Sequence, residues 1–242
     1  MTASGRNRVE GEAAYVLHVY PFRETSLIAE IISRGHGRIA VVARGARRPR
    51  SAVRGLLMAF QPLELAWYGR GEVRTLAKAD WSGGQPLLHG PSLLLGYYMN
   101  ELLLKLLPKD DPHPALFDAY ADGVRALADA EADQASLRRF EIALLRELGY
   151  GLTLDRDAET GQAVDPARSY HWIIERGAVE AATPYGDAPV FSGRALRAIA
   201  GSALDDAETL AQCKQLMRML ITHYLGGQTL SSRRVFLDLQ AL

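Results

Sequence analysis

Between Ile31 and Leu63 the chain carries seven arginines, one histidine and no acidic residue. The arginines are Arg34, Arg38, Arg44, Arg47, Arg48, Arg50 and Arg54, and four of them crowd into residues 43–51. The whole protein holds 28 Lys/Arg and 28 Asp/Glu, so this block is local segregation and not general basicity. Like charges in a cluster repel one another, and such a cluster persists where a polyanion meets it. Guanidinium groups donate in a planar fork that matches phosphate oxygens. The chemistry on offer is electrostatic capture of a phosphate backbone, without sequence-specific readout. Aromatic side chains nearby add a second capability, because unpaired bases stack on them. Tyr20 and Phe22, flanking Pro21 at a strand end, are the candidate platforms, whereas Trp67 alternates with Leu63 and Leu65 and reads as core.

Signatures of catalysis are missing. The chain has no Gly-x-x-x-x-Gly-Lys-Ser/Thr loop, and Gly69-Arg70-Gly71 lacks the third glycine and the following helix of a dinucleotide site. The six histidines form no His-x-x-x-His pair and none lies beside the single cysteine, so neither metal nor cofactor is expected. Asp110-Asp111 looks like a metal-binding pair, but such a pair is more often a solvated turn between helices, and it is read as that. Cys213 reads as a small core or helix-surface residue, and one thiol cannot make an internal disulfide, which fits a reducing compartment. Met1 to Arg8 has no apolar stretch of the secretory kind, and the leucine runs are too interrupted to span a bilayer.

A second candidate site lies on a helix predicted over residues 133–148. Its core stripe is Leu137, Phe140, Leu144 and Leu148. Arg138 and Arg139 are placed on the opposite side, with Arg138, Ile142 and Leu145 at i, i+4 and i+7. A cation at the end of an exposed apolar stripe can hold an acidic peptide that ends in a hydrophobic residue and a carboxylate.

The elements that must position these groups follow from periodicity. Residues 1–80 carry thirteen Lys/Arg against seven Asp/Glu and read as five strands of period 2: Ala13–Tyr20, Ser26–Ser33, Arg38–Gly45, Phe60–Tyr68 and Val73–Ala79. Ile39, Val41 and Ala43 point one way; Arg38, Ala40, Val42 and Arg44 point the other. A basic loop fills residues 46–55. Glycine turns between short strands indicate a small barrel, of the oligonucleotide-binding or the SH3-like kind. Helices are predicted at Ser92–Leu107, Pro114–Asp129 and Asp133–Leu148. Residues 150–191 are irregular apart from a hairpin around Tyr170–Val179. An Asp205/Glu208 capping box opens a helix to Leu225, and Ser231–Gln240 forms a last one. The fold class is α+β, with an N-terminal barrel in 1–80 and a mainly helical domain in 81–242.

Several segments together resemble the bacterial recombination mediator family RecO. They are Thr25-Ser26-Leu27-Ile28, Val42-Ala43-Arg44-Gly45-Ala46-Arg47-Arg48, Arg54-Gly55-Leu56-Leu57, Gln61-Pro62 and Arg70-Gly71-Glu72-Val73. Tyr98-Met99-Asn100-Glu101-Leu102-Leu103, Leu137-Arg138-Arg139-Phe140-Glu141, Leu148-Gly149-Tyr150-Gly151, Tyr224-Leu225-Gly226-Gly227 and Leu230-Ser231-Ser232-Arg233 continue the match in order. The resemblance implies an oligonucleotide-binding (OB) barrel and a non-enzymatic role in recombinational repair. It implies binding of single- and double-stranded DNA and annealing of complementary strands. It further implies engagement of the C-terminal tail of single-stranded DNA-binding protein, association with RecR and help to RecA, in the cytoplasm at the nucleoid. The tail-contacting arginine of the family falls on Arg138. Some members carry a four-cysteine zinc module after the Leu-Gly-Tyr-Gly segment; this chain has Asp157 and Thr160 where the first cysteine pair would lie. The alternative reading is a nucleic-acid-modifying or small-molecule enzyme that uses the barrel as a substrate domain.

Overall fold

A computed structural model of the chain describes residues 8–129, 134–150, 152–182 and 188–240, with backbone alone over 236–240. The expected helix start at Asp133 lies outside these residues. The chain divides into two compact units, residues 1–132 with 230–242, and residues 133–229.

The first unit is built on β1 (Arg8–Phe22), β2 (Ser26–Ser33), β3 (Gly37–Ala43), β4 (Leu63–Tyr68) and β5 (Val73–Trp81). They close a barrel in the order β1-β2-β3-β5-β4, with β3 and β5 parallel and the other pairs antiparallel. This is an OB barrel, one of the two kinds that the period-2 alternation left open and the one that the family resemblance implied. β1 serves two neighbours: Arg8–Ala14 pairs with β4 and Ala14–Phe22 with β2, and register shifts at Val9/Glu12 and Val16/His18 bend it between them. Alternate residues fill the interior, among them Val16, Ile31, Ile39, Val41, Leu63, Leu65 and Trp67. The loop expected over 46–55 contains a short helix, α1 (Ala52–Leu56), whose Val53 and Leu56 pack against that core. The strand expected from Phe60 begins at Leu63, because Phe60 has a positive φ of 66° and takes the chain around a corner.

Helices α2 (Gly90–Leu106), α3 (Pro114–Ala128) and α7 (Ser231–Gln240) belong to the same unit. Pro91 and Pro114 open α2 and α3, where a missing N–H costs nothing. Gly37 turns into β3 at φ +66°, and a Cβ there would stand 2.0 Å from the Asp111 carbonyl oxygen. The start of α7 is capped from a distance: the Glu101 carboxylate accepts from Ser231 N and Ser232 N at 2.9 Å each, and from Ser232 Oγ at 2.7 Å. Burial pushes the Glu101 carboxyl up, but these bonds and Lys105 outweigh it and hold it below its ordinary value.

One buried polar chain ties β1, α2 and α3 together. Asn100 Nδ2 donates to the Leu17 carbonyl at 2.9 Å, inside the β1 bulge, and Tyr120 Oη donates to Asn100 Oδ1 at 2.6 Å. Both side chains are buried, and burial drives the Tyr120 phenol well above its ordinary pKa. Removing the amide takes one hydrogen bond from the Leu17 carbonyl and one from the Tyr120 hydroxyl. Asn100→Leu should therefore lower unfolding free energy by about 2–4 kcal/mol, as a shifted midpoint in urea with an unchanged slope. Wild-type stability in that variant would refute the link.

The second unit contains α4 (Gln134–Glu147), the sheet β6 (Ser169–Ile173), β7 (Gly177–Glu180) and β8 (Val190–Ser192), and helices α5 (Gly193–Ala200) and α6 (Ala207–Tyr224). The sheet order is β7-β6-β8, so the expected hairpin gains a third strand. The α6 cap is Asp206, accepting from Thr209 N at 2.9 Å, in place of the Asp205/Glu208 box. Cys213 is fully buried, the core placement of the two its helical setting allowed, and burial pushes its thiol pKa up to about 12. Among the described residues no helix is long and apolar enough to cross a membrane.

At Asp157, where the resemblance would place the first of a cysteine pair, a carboxylate organises the chain. Asp157 Oδ1 accepts from Glu159 N, Thr160 N and Thr160 Oγ1 at 2.9, 2.8 and 3.0 Å, and Oδ2 accepts from Glu180 N at 2.9 Å. Asp157 and Thr160 bond to each other and present no thiolate, so these residues do not fit zinc. No group of three His, Cys, Asp or Glu able to hold a metal occurs among the described residues. Burial raises the Asp157 carboxyl, and the four hydrogen bonds outweigh it, leaving the pKa lowered. A depressed carboxylate stabilises the fold above its unfolded pKa, about 3.9, and loses that contribution as pH falls through the folded value. Asp157→Asn should thus lower stability at pH 7 and flatten the loss seen below about pH 4. Chelator should leave the wild-type melting temperature unchanged, and one zinc per chain by elemental analysis would contradict this account.

Candidate nucleic-acid interface

The seven arginines divide into two groups once folded. Arg34 and Arg38 leave the β2–β3 turn and the start of β3, where the barrel wall meets α2 and α3. Arg34 forms a two-bond fork with Asp118 of α3, Nε to Oδ1 at 3.0 Å and Nη2 to Oδ2 at 2.8 Å. That hydrogen bonding and charge hold the Asp118 carboxyl below its ordinary pKa. Arg38 is half-buried; its Nε donates to the Leu107 carbonyl at 2.8 Å and its Nη1 to Glu30 at 3.2 Å. Tyr15, on the same side of β1, packs its ring against Phe117 and Tyr120 at 5.7 and 5.3 Å. These two arginines therefore tie α3 and the end of α2 to the barrel wall.

Arg44, Arg47, Arg48, Arg50 and Arg54 are exposed at the other end of β3 and on α1. Among the described residues no acidic side chain forms an ion pair with any of the five. Turn hydrogen bonds order the backbone that carries them: Arg48 N to Gly45 O at 3.0 Å and Ser51 N to Arg48 O at 3.1 Å. The loop is also tied to the β1–β2 turn. Arg47 N donates to Thr25 O at 2.9 Å and Arg47 Nη1 to Arg23 O at 3.0 Å. Arg23 is thereby brought beside the loop, and sequence reasoning missed it because Glu24 follows it and twenty residues separate it from the cluster. Lys78 joins from β5: together with Ala43, Arg44, Val53 and Leu76–Ala79 it lines a shallow groove between β3, α1 and β5. Lys78 is paired with Asp80 at 2.5 Å, so its charge is partly answered within the chain.

The aromatic candidates sit at the same end of the barrel. Tyr20 is 45% exposed, and Phe22 is half-buried with the Arg23 guanidinium 5.2 Å from its ring centre. Trp67 is 1% exposed and belongs to the barrel core, as its alternation predicted. Asp110 turns the chain at φ +61° and forms an ion pair with Arg74, so the Asp110-Asp111 turn is partnered by β5.

The α4 candidates lie differently from expectation. Ile142 and Leu145 are 1% and 0% exposed, so the stripe they form faces the core and not solvent. Arg138 is itself buried at 9% and forms an ion pair with Glu141, which is 0% exposed, at 2.8 Å. Arg139 is exposed. The sequence placed Arg138 outside because it lies opposite the stripe of Leu137, Phe140, Leu144 and Leu148, and α4 is buried on more than that one face.

Comparison with known proteins gives the same assignment over both units. Residues 10–84 match the family model for the N-terminal part of Recombination protein O, and residues 90–234 match that for its C-terminal part. The chain is 56% identical over 241 residues to the DNA repair protein RecO of Azoarcus sp. (strain BH72), covering 98% of this chain and 99% of the relative. It is 54% identical over 239 residues to that of Aromatoleum aromaticum, covering 99% and 100%. With that of Dechloromonas aromatica it shares 51% over 240 residues, 98% and 99% of the two chains. The chain belongs to the RecO family of DNA repair and recombination proteins.

Proposed function

We propose that the chain is a non-enzymatic recombination mediator that binds single- and double-stranded DNA and anneals complementary strands. The observation that carries this reading is the exposed arginine group on the OB barrel, which no acidic side chain among the described residues answers. Phosphates supply the missing counter-charge, and because phosphates are common to every sequence, the site receives DNA without choosing among sequences. Screening the charges of two strands on one surface lowers their mutual repulsion and favours pairing. The reading assigns DNA binding to residues 1–80, through Arg44, Arg47, Arg48, Arg50 and Arg54 with Tyr20 and Phe22, and partner binding to residues 81–242.

The partner tail of single-stranded DNA-binding protein is assigned to the α4 surface. There Arg139 is the exposed cation, while Arg138 is held by Glu141 and Ile142 and Leu145 are buried in the core. The reading extends to association with RecR and delivery of strands to RecA at the nucleoid in the cytoplasm, with family membership as its support. The assay that separates this reading from an enzyme is annealing of two complementary labelled oligonucleotides without nucleoside triphosphate or divalent metal. Accelerated annealing that scales with protein concentration is expected. Chemical alteration of the DNA, or a requirement for triphosphate, would favour the enzyme.

A further inference from the structure

The outer wall of the barrel is half covered and half open. Cross-strand pairing sets out its rows. Tyr15, Ile32 and Arg38 form one row, and Tyr15 and Arg38 are closed over by α3 and the end of α2. Two rows higher, Tyr20 pairs with Ile28, Ile28 with Val42, and Val42 with Thr75, so four strands place these residues side by side. Ile28, Val42 and Thr75 are each only half-buried. The next row begins with Phe22 opposite Ser26, and Arg44 leaves β3 one residue beyond Ala43, the partner of Leu27.

Along β1, the bulge after Val16 resets the alternation so that His18 and Tyr20 are exposed and Phe22 half-exposed on this open wall. Their rings are in series. His18 and Tyr20 stand 4.4 Å apart between ring centres, and the Arg23 guanidinium lies 5.2 Å from the centre of Phe22. At the Phe22 end the ladder meets the arginine loop, because Arg47 is hydrogen-bonded to the Arg23 carbonyl. From His18 to Phe22 the strand rises about 13 Å, room for a short run of bases.

We propose that His18, Tyr20, Phe22 and Arg23 form a stacking ladder for unpaired bases, and that this ladder makes the barrel prefer single strands over duplex. The proposal rests on the DNA-binding reading and deepens it. π-Faces and a guanidinium plane accept any base but reach it only when the base is unstacked from its neighbours. The arginine loop contacts phosphates, which both DNA forms present. Charge complementarity fixes the occupant as a polyanion, and the ring series fixes it as one whose bases are open. The division of labour also gives annealing a direction: paired product no longer offers its bases to the ladder and keeps only the loop contacts.

The test is Tyr20→Ala, with Tyr20→Phe as the conservative partner, each checked for a wild-type melting temperature. Affinity is measured for one oligonucleotide, its duplex and an abasic strand of equal length. Tyr20→Ala should weaken binding to the single strand about ten-fold, leave the duplex and abasic strand unchanged, and keep the salt slope; Tyr20→Phe should bind as wild type. Equal losses on single strand and duplex, or no loss on the single strand, would overturn the ladder. If the arginine-loop variant of the Discussion also binds normally, the DNA-binding reading itself fails, which is a different outcome from failure of the ladder alone.

Discussion

Alanine at Arg44, Arg47, Arg48 and Arg50 together lowers DNA affinity on the order of a hundred- to a thousand-fold at low salt, taking about 1 kcal/mol for each exposed charge-assisted contact. The loss is the same for unrelated sequences, because phosphate contacts carry no sequence information. The fold survives. All four side chains are exposed and none holds an acidic partner among the described residues; only the Arg47 Nη1 bond to the Arg23 carbonyl is lost. Fluorescence anisotropy on two oligonucleotides of different sequence, beside a thermal melt, checks both parts. A folded variant that binds DNA like wild type would remove the loop from the interface. By contrast, Arg34→Ala should leave DNA affinity nearly unchanged, since its guanidinium is already engaged by Asp118.

Arg138→Ala acts on stability before it acts on any partner. It takes the Arg138 guanidinium away from the buried Glu141 carboxylate, and breaking a buried pair from one side costs about 3–5 kcal/mol. A lower midpoint in urea is expected, and Arg138→Met with Glu141→Leu should recover much of it, because apolar volume then replaces both buried charges. A double variant no more stable than Arg138→Ala would show that the pair is not what fails. Binding of a partner tail is for this reason better read at Arg139→Ala, whose exposed side chain leaves the core intact. A labelled acidic peptide with a C-terminal Asp-Phe sequence should bind that variant several-fold more weakly, with DNA affinity unchanged.

The barrel was legible because its physics is local. Alternation of Ile39, Val41 and Ala43 against Arg38, Val42 and Arg44 marks which side of β3 faces in, and the structure keeps that parity. Three things were not local. The five-residue α1 is too short for a helical period and follows Pro49, so it read as loop. α5 starts at Gly193 and spans only eight residues, and its apolar face became visible only once Ala195, Leu196 and Ile199 were packed. The fate of each arginine depended on acids distant in sequence: Asp118 lies 84 residues from Arg34, and no count of nearby charges foretells that pair. The same limit hid Arg23, which the β1–β2 turn carries to the arginine loop, and misplaced Arg138, whose i+3 partner proved to be in the core.

The most direct test of the central claim is the dependence of DNA affinity on salt, with the arginine loop intact and neutralised. Each phosphate contact adds about 0.9 to the slope of log affinity against log salt for duplex and about 0.7 for a single strand. The account predicts a steep linear fall for the wild-type chain, and a slope shallower by about 3 for the quadruple alanine variant. Two parallel lines, from two folded proteins, would contradict it.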